Sequence, residues 1–212
     1  LGLCGTVGVF LVTGFGHAGD ERSDALGQLI PKLKPLHQPL RKPGPSDWLA
    51  NHDEPGQTLR QYLRGDPVTL TKKHNTIYVQ PLGPLTKEER EIVELSAEYL
   101  GIYFNCPVKI RKNLSLDVIP KDKRRMQFGS EQILSTYVLY DVLRPRLPDD
   151  AAAYIAFTAS DLWPGKGWNF VYGQASLKQR VGVWSLHRNG DPTESDAAYK
   201  LCLLRTLKTA TH

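Results

Sequence analysis

The sequence predicts one α/β domain built around a mixed β-sheet, and three observations support this fold class. Segments with strand character alternate along the chain with segments of helix character, as in domains whose helices pack on a sheet. Residues 153–158 (AYIAFT) are almost wholly apolar, which is typical of a strand covered on both faces at the centre of a sheet. The chain has 212 residues, 41% of them hydrophobic, which is enough to bury one core.

Residues 1–46 are predicted to precede this domain. Residues 1–19 form an apolar run that is too short and too glycine-rich for a stable membrane span. They are similar to the hydrophobic part of a secretory signal, with small residues before a candidate cleavage point ahead of Gly19. This predicts a secreted or periplasmic protein, and a leader without a sorting role in a cytoplasmic protein is the alternative. Residues 20–46 are rich in proline, which predicts a linker or an extended arm.

The front of the domain is predicted to contain two strands separated by a long helix. Residues 76–83 alternate and are β-branched, which favours a strand. Residues 85–100 have helical apolar spacing, Thr86 and Glu89 fit a capping box, and Gly101 is the expected end of the helix. Residues 106–110 form the next short strand. A short helix is expected after Thr58, earlier in the chain.

The back of the domain is predicted to hold two further helices and two strands besides 153–158. Residues 129–143 carry an amphipathic helical pattern. Residues 170–172 and 181–185 are predicted strands, joined around GQASLKQR. Residues 197–212 have helical rhythm and reach the last residue without a stop signal, so we expect the native chain to continue.

Composition excludes several classes of protein. The net charge is +5, but basic and acidic residues are interleaved, so no nucleic-acid partner is expected, and residues 121–125 (KDKRR) are predicted to be a charged loop. The three cysteines are far apart and form no CxxC pair, which gives neither a disulfide framework nor a cysteine zinc site. Cys106 and Cys202 are predicted to be reduced core residues.

Two C-terminal segments carry a family resemblance. Residues 158–188 (TASDLWPGKGWNFVYGQASLKQRVGVWSLHR) and residues 203–212 (LLRTLKTATH) resemble, in order, the motifs of the archaemetzincins, a family of zinc-dependent peptidases. Residues 47–63 and 77–83 also resemble the front of that family. The resemblance covers residues 47–212 and implies a mixed-sheet, metzincin-like catalytic domain whose C-terminal part is absent from this chain.

The resemblance implies that His212 is the first metal ligand. In the family the helix continues as HExxHxxGxxH, in which the histidines bind catalytic zinc and the glutamate acts as general base, and cysteines farther on hold a second, structural zinc. No catalytic residue is therefore expected within this chain, because the general base would follow His212. The implied function of the complete parent protein is hydrolysis of peptide bonds by metal-activated water, and this chain alone is expected to be inactive.

The resemblance also implies a substrate-binding strand. Gly182, Val183, Trp184 and Ser185 are predicted to lie on an edge strand that pairs with the backbone of a peptide or protein substrate. The alternative is that these residues form an ordinary inner strand. For the whole chain the alternative function is a non-catalytic truncated scaffold or a peptide-binding pseudoenzyme. The oligomeric state does not follow from the sequence.

Other polar residues have less specific interpretations. His187 departs from the family pattern and is predicted to be a surface residue. Asp161 and Trp163 are predicted to build a turn, with the Asp161 carboxylate bonding to local backbone N–H groups. Arg205 and Lys208 are predicted to be solvated, with contacts to the neighbouring sheet as the alternative.

Overall fold

A computed structural model describes the fold from residue 28 to residue 211, apart from a few single residues. The chain divides into two units between Thr58 and Leu59, and each unit is described by itself. The described residues are 28–29, 31–32, 34–36, 38–39, 41–45, 47–51, 53, 55–65 and 67–211.

The first unit contains short helical segments. A 3-10 turn spans Lys34–Leu36, and helix α1 spans Trp48–Asn51. Asp47 stabilises the chain before α1, since its carboxylate accepts a hydrogen bond from the Gly44 N–H at 2.8 Å. The predicted leader, residues 1–19, lies outside the described residues, so export stays a prediction.

The second unit carries the sheets. Its helices are α2 (Leu59–Arg64), α3 (Lys87–Phe104), α4 (Ser135–Tyr137) and α5 (Asp196–Thr211), and α4 continues as a π-helical segment (Val138–Leu143) and a 3-10 turn (Arg144–Arg146). Its strands are β1 (Thr76–Leu82), β2 (Val108–Ile110), β3 (Arg124–Gln127), β4 (Ser130–Leu134), β5 (Ala151–Thr158), β6 (Asp161–Trp163), β7 (Gly173–Ser176) and β8 (Val181–Ser185). None of the helices in the described part of the chain has the length and apolar character needed to cross a bilayer.

The main sheet has the strand order β2-β1-β5-β8-β7. Strands β1, β2, β5 and β8 run parallel to one another, whereas β7 pairs with β8 in the antiparallel direction. A second sheet has the order β3-β4-β6. The predicted mixed α/β fold is confirmed, as is the central place of the apolar strand, β5.

Apolar side chains fill the space on both faces of the main sheet. One face packs against α3 and α5 through buried residues that include Val79, Phe157, Ile92 and Cys202. The other face packs against the α4 region and the second sheet. This double cover explains why the β5 sequence is apolar at nearly every position.

Helix α3 begins as predicted and ends later than predicted. The Thr86 hydroxyl accepts from the Glu89 N–H at 3.1 Å, and the Glu89 carboxylate accepts from the Thr86 N–H at 2.8 Å. The helix runs past Gly101 to Phe104, and Asn105 ends it in the left-handed conformation with φ 49°. A Cβ on Gly101 would lie 3.3 Å from Val108 Cγ2, so this glycine allows β2 to approach the helix closely.

Two predicted elements differ from the structure. The predicted helix 129–143 begins only at Ser135, because Ser130–Leu134 forms β4 between β3 and β6. Its two apolar residues, Ile133 and Leu134, fit a strand as well as a helix. The predicted strand 170–172 is limited to an isolated bridge between Val171 and Leu162, and the segment GQAS, predicted as a connection, forms β7.

Candidate functional site

The predicted substrate strand is an inner strand. Gly182, Val183, Trp184 and Ser185 lie in β8, which is hydrogen-bonded to β5 on one side and to β7 on the other. The edge-strand interpretation of these residues is therefore wrong, and the inner-strand alternative describes them. A contact between their side chains and a substrate stays a prediction.

In the described part of the chain the two edge strands of the main sheet are β2 and β7, and β7 is the one that neighbours β8. The Tyr172 carbonyl accepts from the Ser185 N–H at 2.9 Å, which makes Tyr172 and Ser185 a hydrogen-bonded pair. Bonding alternates along an antiparallel ladder, so Gln174 and Ser176 direct their backbone groups to β8, and Gly173 and Ala175 direct theirs away from it. An extended peptide could add to the sheet along these outward-facing groups.

The side chains of this edge are small where the indole of Trp184 lies beneath it. A Cβ on Gly173 would come within 2.6 Å of Trp184 Cζ3, and a Cβ on Gly182 would lie 3.4 Å from Trp184 Cζ2. Trp184 also packs against the core cluster that α3 and α5 cover. Its Nε1 is buried without a hydrogen-bond partner in the described part of the chain. The indole thus supports β7 from the face on which α5 lies.

The carboxylate of Asp161, the first residue of β6, is buried and bound by other side chains. Asp161 is fully buried, and Arg188 binds it through two hydrogen bonds, of 2.9 and 2.7 Å. Gln132 Nε2 donates to Asp161 Oδ2 at 2.7 Å, and the Leu162 N–H donates to Oδ1 at 3.0 Å. Burial raises the pKa of Asp161, but the hydrogen bonds from Arg188 and Gln132 and the charge of Arg188 outweigh burial and leave the pKa below its usual value.

This arrangement corrects the prediction of a turn at Asp161 and Trp163. Both residues belong to β6. The carboxylate of Asp161 accepts one local backbone N–H, as predicted, but its main partners are side chains from distant parts of the sequence. The run 121–125 is likewise only partly a charged loop, because Arg124 and Arg125 lie in β3.

Helix α5 leads towards the predicted metal ligand. Its residues Cys202, Thr206 and Ala210 are buried, and Asn189 Nδ2 donates to Thr206 Oγ1 at 3.0 Å. Arg205 is exposed but also donates to the Asn189 carbonyl at 3.1 Å, so the solvated interpretation describes it only in part. Lys208 is exposed. His212 lies outside the described residues.

The described residues do not form a zinc site. None of their histidine, cysteine, aspartate and glutamate side chains come together in a group of three that could hold a metal ion. His187 is exposed, as predicted. Cys106 is partly buried and Cys202 is buried, both are free, and burial raises the pKa of each thiol.

Five residues of this region were not singled out as site residues from the sequence: Arg125, Arg188, Gln132, Gly173 and Ala175. A signal for the last two exists, because GQAS alternates small and polar residues with the period of a strand. Arg125 and Gln132 could not be found this way, since their partners lie far along the chain.

The chain was compared with curated proteins and with protein-family models. Archaemetzincin-2 of Homo sapiens is 29% identical over 186 residues, and archaemetzincin-2 of Pongo abelii is 30% identical over 184 residues. Each alignment covers 82% of this chain and 49% of the relative, so the chain spans about half the length of the curated relatives it matches. Archaemetzincin-1 of Homo sapiens is 29% identical over 154 residues, which cover 67% of this chain and 29% of the relative. No protein-family model matches the chain.

Two solved structures are similar to the chain. The archaemetzincin of Methanopyrus kandleri gives a TM-score of 0.48 at 26% identity, covering 66% of this chain and 70% of the other. The archaemetzincin of Archaeoglobus fulgidus, complexed with malonate, gives 0.44 at 25% identity, covering 62% and 72%.

Proposed function

We propose that this chain, which is a homologue of the archaemetzincins, supplies the substrate-binding sheet of a zinc-dependent peptidase. The observation that carries the proposal is the open edge of β7 in a chain with these relatives. A peptidase that accepts varied sequences needs to hold the substrate backbone in an extended form, and pairing with an edge strand does this through main-chain hydrogen bonds.

The backbone groups of Gly173 and Ala175 take the central part in this proposal. They point away from β8, so they are free of the ladder inside the sheet. A peptide bound there would extend the sheet by one strand. The absence of a side chain at Gly173 lets the Trp184 indole pack directly against β7, which supports the strand from one face.

The metal part of the proposal rests on the resemblance at the end of α5. His212 is the proposed first zinc ligand, the other ligands and the general-base glutamate are proposed to lie outside the described residues, and a second, structural zinc is proposed beyond them. When bound, zinc polarises a peptide carbonyl and lowers the pKa of a bound water. The described residues of this chain bind and orient the substrate.

A non-catalytic peptide-binding protein is the second candidate. The open edge of β7 favours it equally, because pairing with a peptide backbone needs no metal. The two candidates agree on the binding edge and differ on zinc and hydrolysis.

The full-length natural protein separates the two candidates. Zinc content would be measured by plasma mass spectrometry, and hydrolysis would be followed with a library of quenched-fluorescent peptides, with and without 1,10-phenanthroline. The peptidase predicts stoichiometric zinc and hydrolysis that the chelator abolishes. His212→Ala should lower both zinc content and hydrolysis, whereas His187→Ala, at an exposed histidine, serves as the control and should change neither. Peptide binding without zinc or hydrolysis would establish the second candidate and overturn the first.

A further inference from the structure

We infer that Arg125, Gln132 and Arg188 clamp the chain segment that enters β7, and so position the strand that binds the peptide. The role in peptide binding rests on the proposed function, whereas the clamp itself does not. The segment concerned is residues 164–172, which connects β6 to β7.

Arg125 holds the backbone of this segment from β3. Its Nη2 donates to the carbonyl oxygens of Trp168 and Asn169, at 3.0 and 2.9 Å. Its guanidinium also lies over the Trp163 ring, 4.7 Å from the ring centroid. The planar side chain of Arg125 therefore contacts both the last residue of β6, Trp163, and the backbone of residues 168 and 169.

Gln132 links Arg125 to the buried carboxylate. It is fully buried in β4, and its Oε1 accepts from Arg125 Nε at 2.8 Å. Its Nε2 donates to Asp161 Oδ2 at 2.7 Å and to the Asn169 carbonyl at 3.0 Å. Both ends of the amide are thus occupied, which leaves Gln132 one favourable orientation.

Arg188 holds the next residue of the segment. Its guanidinium carbon lies 3.6 Å from the centroid of the Phe170 ring, and the same group binds Asp161. A guanidinium that stacks on an aromatic ring and binds a carboxylate is restrained by both contacts. Residues 168, 169 and 170 are consecutive and are all held by groups connected to Asp161.

The residues that follow 168–170 connect these restrained positions to β7. The next residue, Val171, donates to the Leu162 carbonyl at 3.0 Å, and Tyr172 accepts from Ser185 at 2.9 Å. Farther along the strand, the Ser135 hydroxyl donates to Gln174 Oε1 at 2.6 Å. A short edge strand has few ladder bonds of its own, so contacts before it determine where its outward backbone groups lie.

The test compares two neighbouring arginines in the full-length natural protein. Arg125→Lys keeps the charge but loses the fork in which Nε binds Gln132 while Nη2 binds the two carbonyls. The control is Arg124→Lys, because Arg124 uses the same chemistry on a different segment, donating to the carbonyls of Leu116 and Ile119 at 2.6 and 2.8 Å. Amide hydrogen exchange would be measured without peptide, together with the melting temperature and with KM and kcat for one cleaved fluorogenic peptide.

In Arg125→Lys we expect exchange across residues 168–176 to become at least about threefold faster, as for the loss of one hydrogen bond, and KM to rise by a similar factor while kcat changes less. In Arg124→Lys we expect residues 168–176 to exchange as in the parent. Unchanged exchange in Arg125→Lys, or an equal change in both variants, would overturn the clamp whatever the protein binds. Faster exchange with unchanged KM would support the clamp and count against β7 as the substrate strand.

Discussion

The indole of Trp184 fills the place where a side chain on Gly173 would project. A Cβ at that position would come within 2.6 Å of Trp184 Cζ3 and 3.0 Å of the Val183 carbonyl oxygen. Gly173 is therefore required because β7 and β8 pack closely. Backbone conformation does not require a glycine here, since the residue lies outside the left-handed region. The edge strand β7 thus packs closely against a rigid aromatic side chain.

Gly173→Ala should lower the stability of the protein. We expect a loss of about 1–3 kcal/mol, as for other overpacked sites, because the ring or the strand has to move. Urea unfolding followed by fluorescence measures this change. Gly182→Ala is the matched control, since its Cβ would lie 3.4 Å from the same ring and should cost less. When each glycine is replaced by alanine in a Trp184→Leu background, the two losses of unfolding free energy should become nearly equal. Equal costs in the parent background would contradict the packing account.

Asp161→Asn should destabilise the protein and reduce its sensitivity to acid. Breaking a buried ion pair typically costs about 3 kcal/mol, because Arg188 loses its partner. The folded-state pKa of Asp161 lies below its usual value, so its contribution to stability is complete above the unfolded-state pKa of about 3.9 and is lost as the pH falls towards the folded-state pKa.

Urea midpoints measured from pH 7 down to pH 3 test this prediction. The parent should lose stability more steeply than Asp161→Asn below about pH 5. Asp122→Asn is the control, because Asp122 forms an exposed ion pair with Lys123 and should change stability by less than about 0.5 kcal/mol. Parallel pH curves for the parent and Asp161→Asn would contradict the account.

The two described cysteines should differ in reactivity. Burial raises the pKa of both thiols, which lowers their thiolate fraction at pH 8, and Cys202 is fully buried whereas Cys106 is only partly so. Iodoacetamide labelling with peptide-resolved mass spectrometry should modify Cys106 slowly and Cys202 more slowly still, with both accelerating in urea. Faster labelling of Cys202 than of Cys106 in the native protein would show that the core around α5 opens more readily than its burial indicates.

Local sequence signals predicted the main elements well. The capping box at Thr86, the apolar strand β5 and the helical rhythm of α5 each depend on residues close together in sequence. The predicted end of α3 at Gly101 failed because that glycine serves packing against Val108 and does not stop the helix.

The candidate site was harder to predict because it depends on contacts between distant residues. The sequence predicted an edge strand at Gly182 and its neighbours, which lie one strand inside the edge strand β7, since the order of strands in a sheet cannot be derived from their patterns. The partners of Asp161 lie 27 and 29 positions away, and only the fold brings them together.

The most direct test of the central claim is the KM of Ala175→Pro for a cleaved fluorogenic peptide, measured in the full-length natural protein. Proline at this position removes a backbone N–H that points away from β8, so the sheet should tolerate it, whereas Gln174→Pro removes a bond inside the sheet and should destabilise the protein. If β7 binds the peptide backbone, KM for Ala175→Pro should rise by about fivefold or more with the melting temperature nearly unchanged. An unchanged KM in a folded Ala175→Pro variant would show that the peptide binds elsewhere.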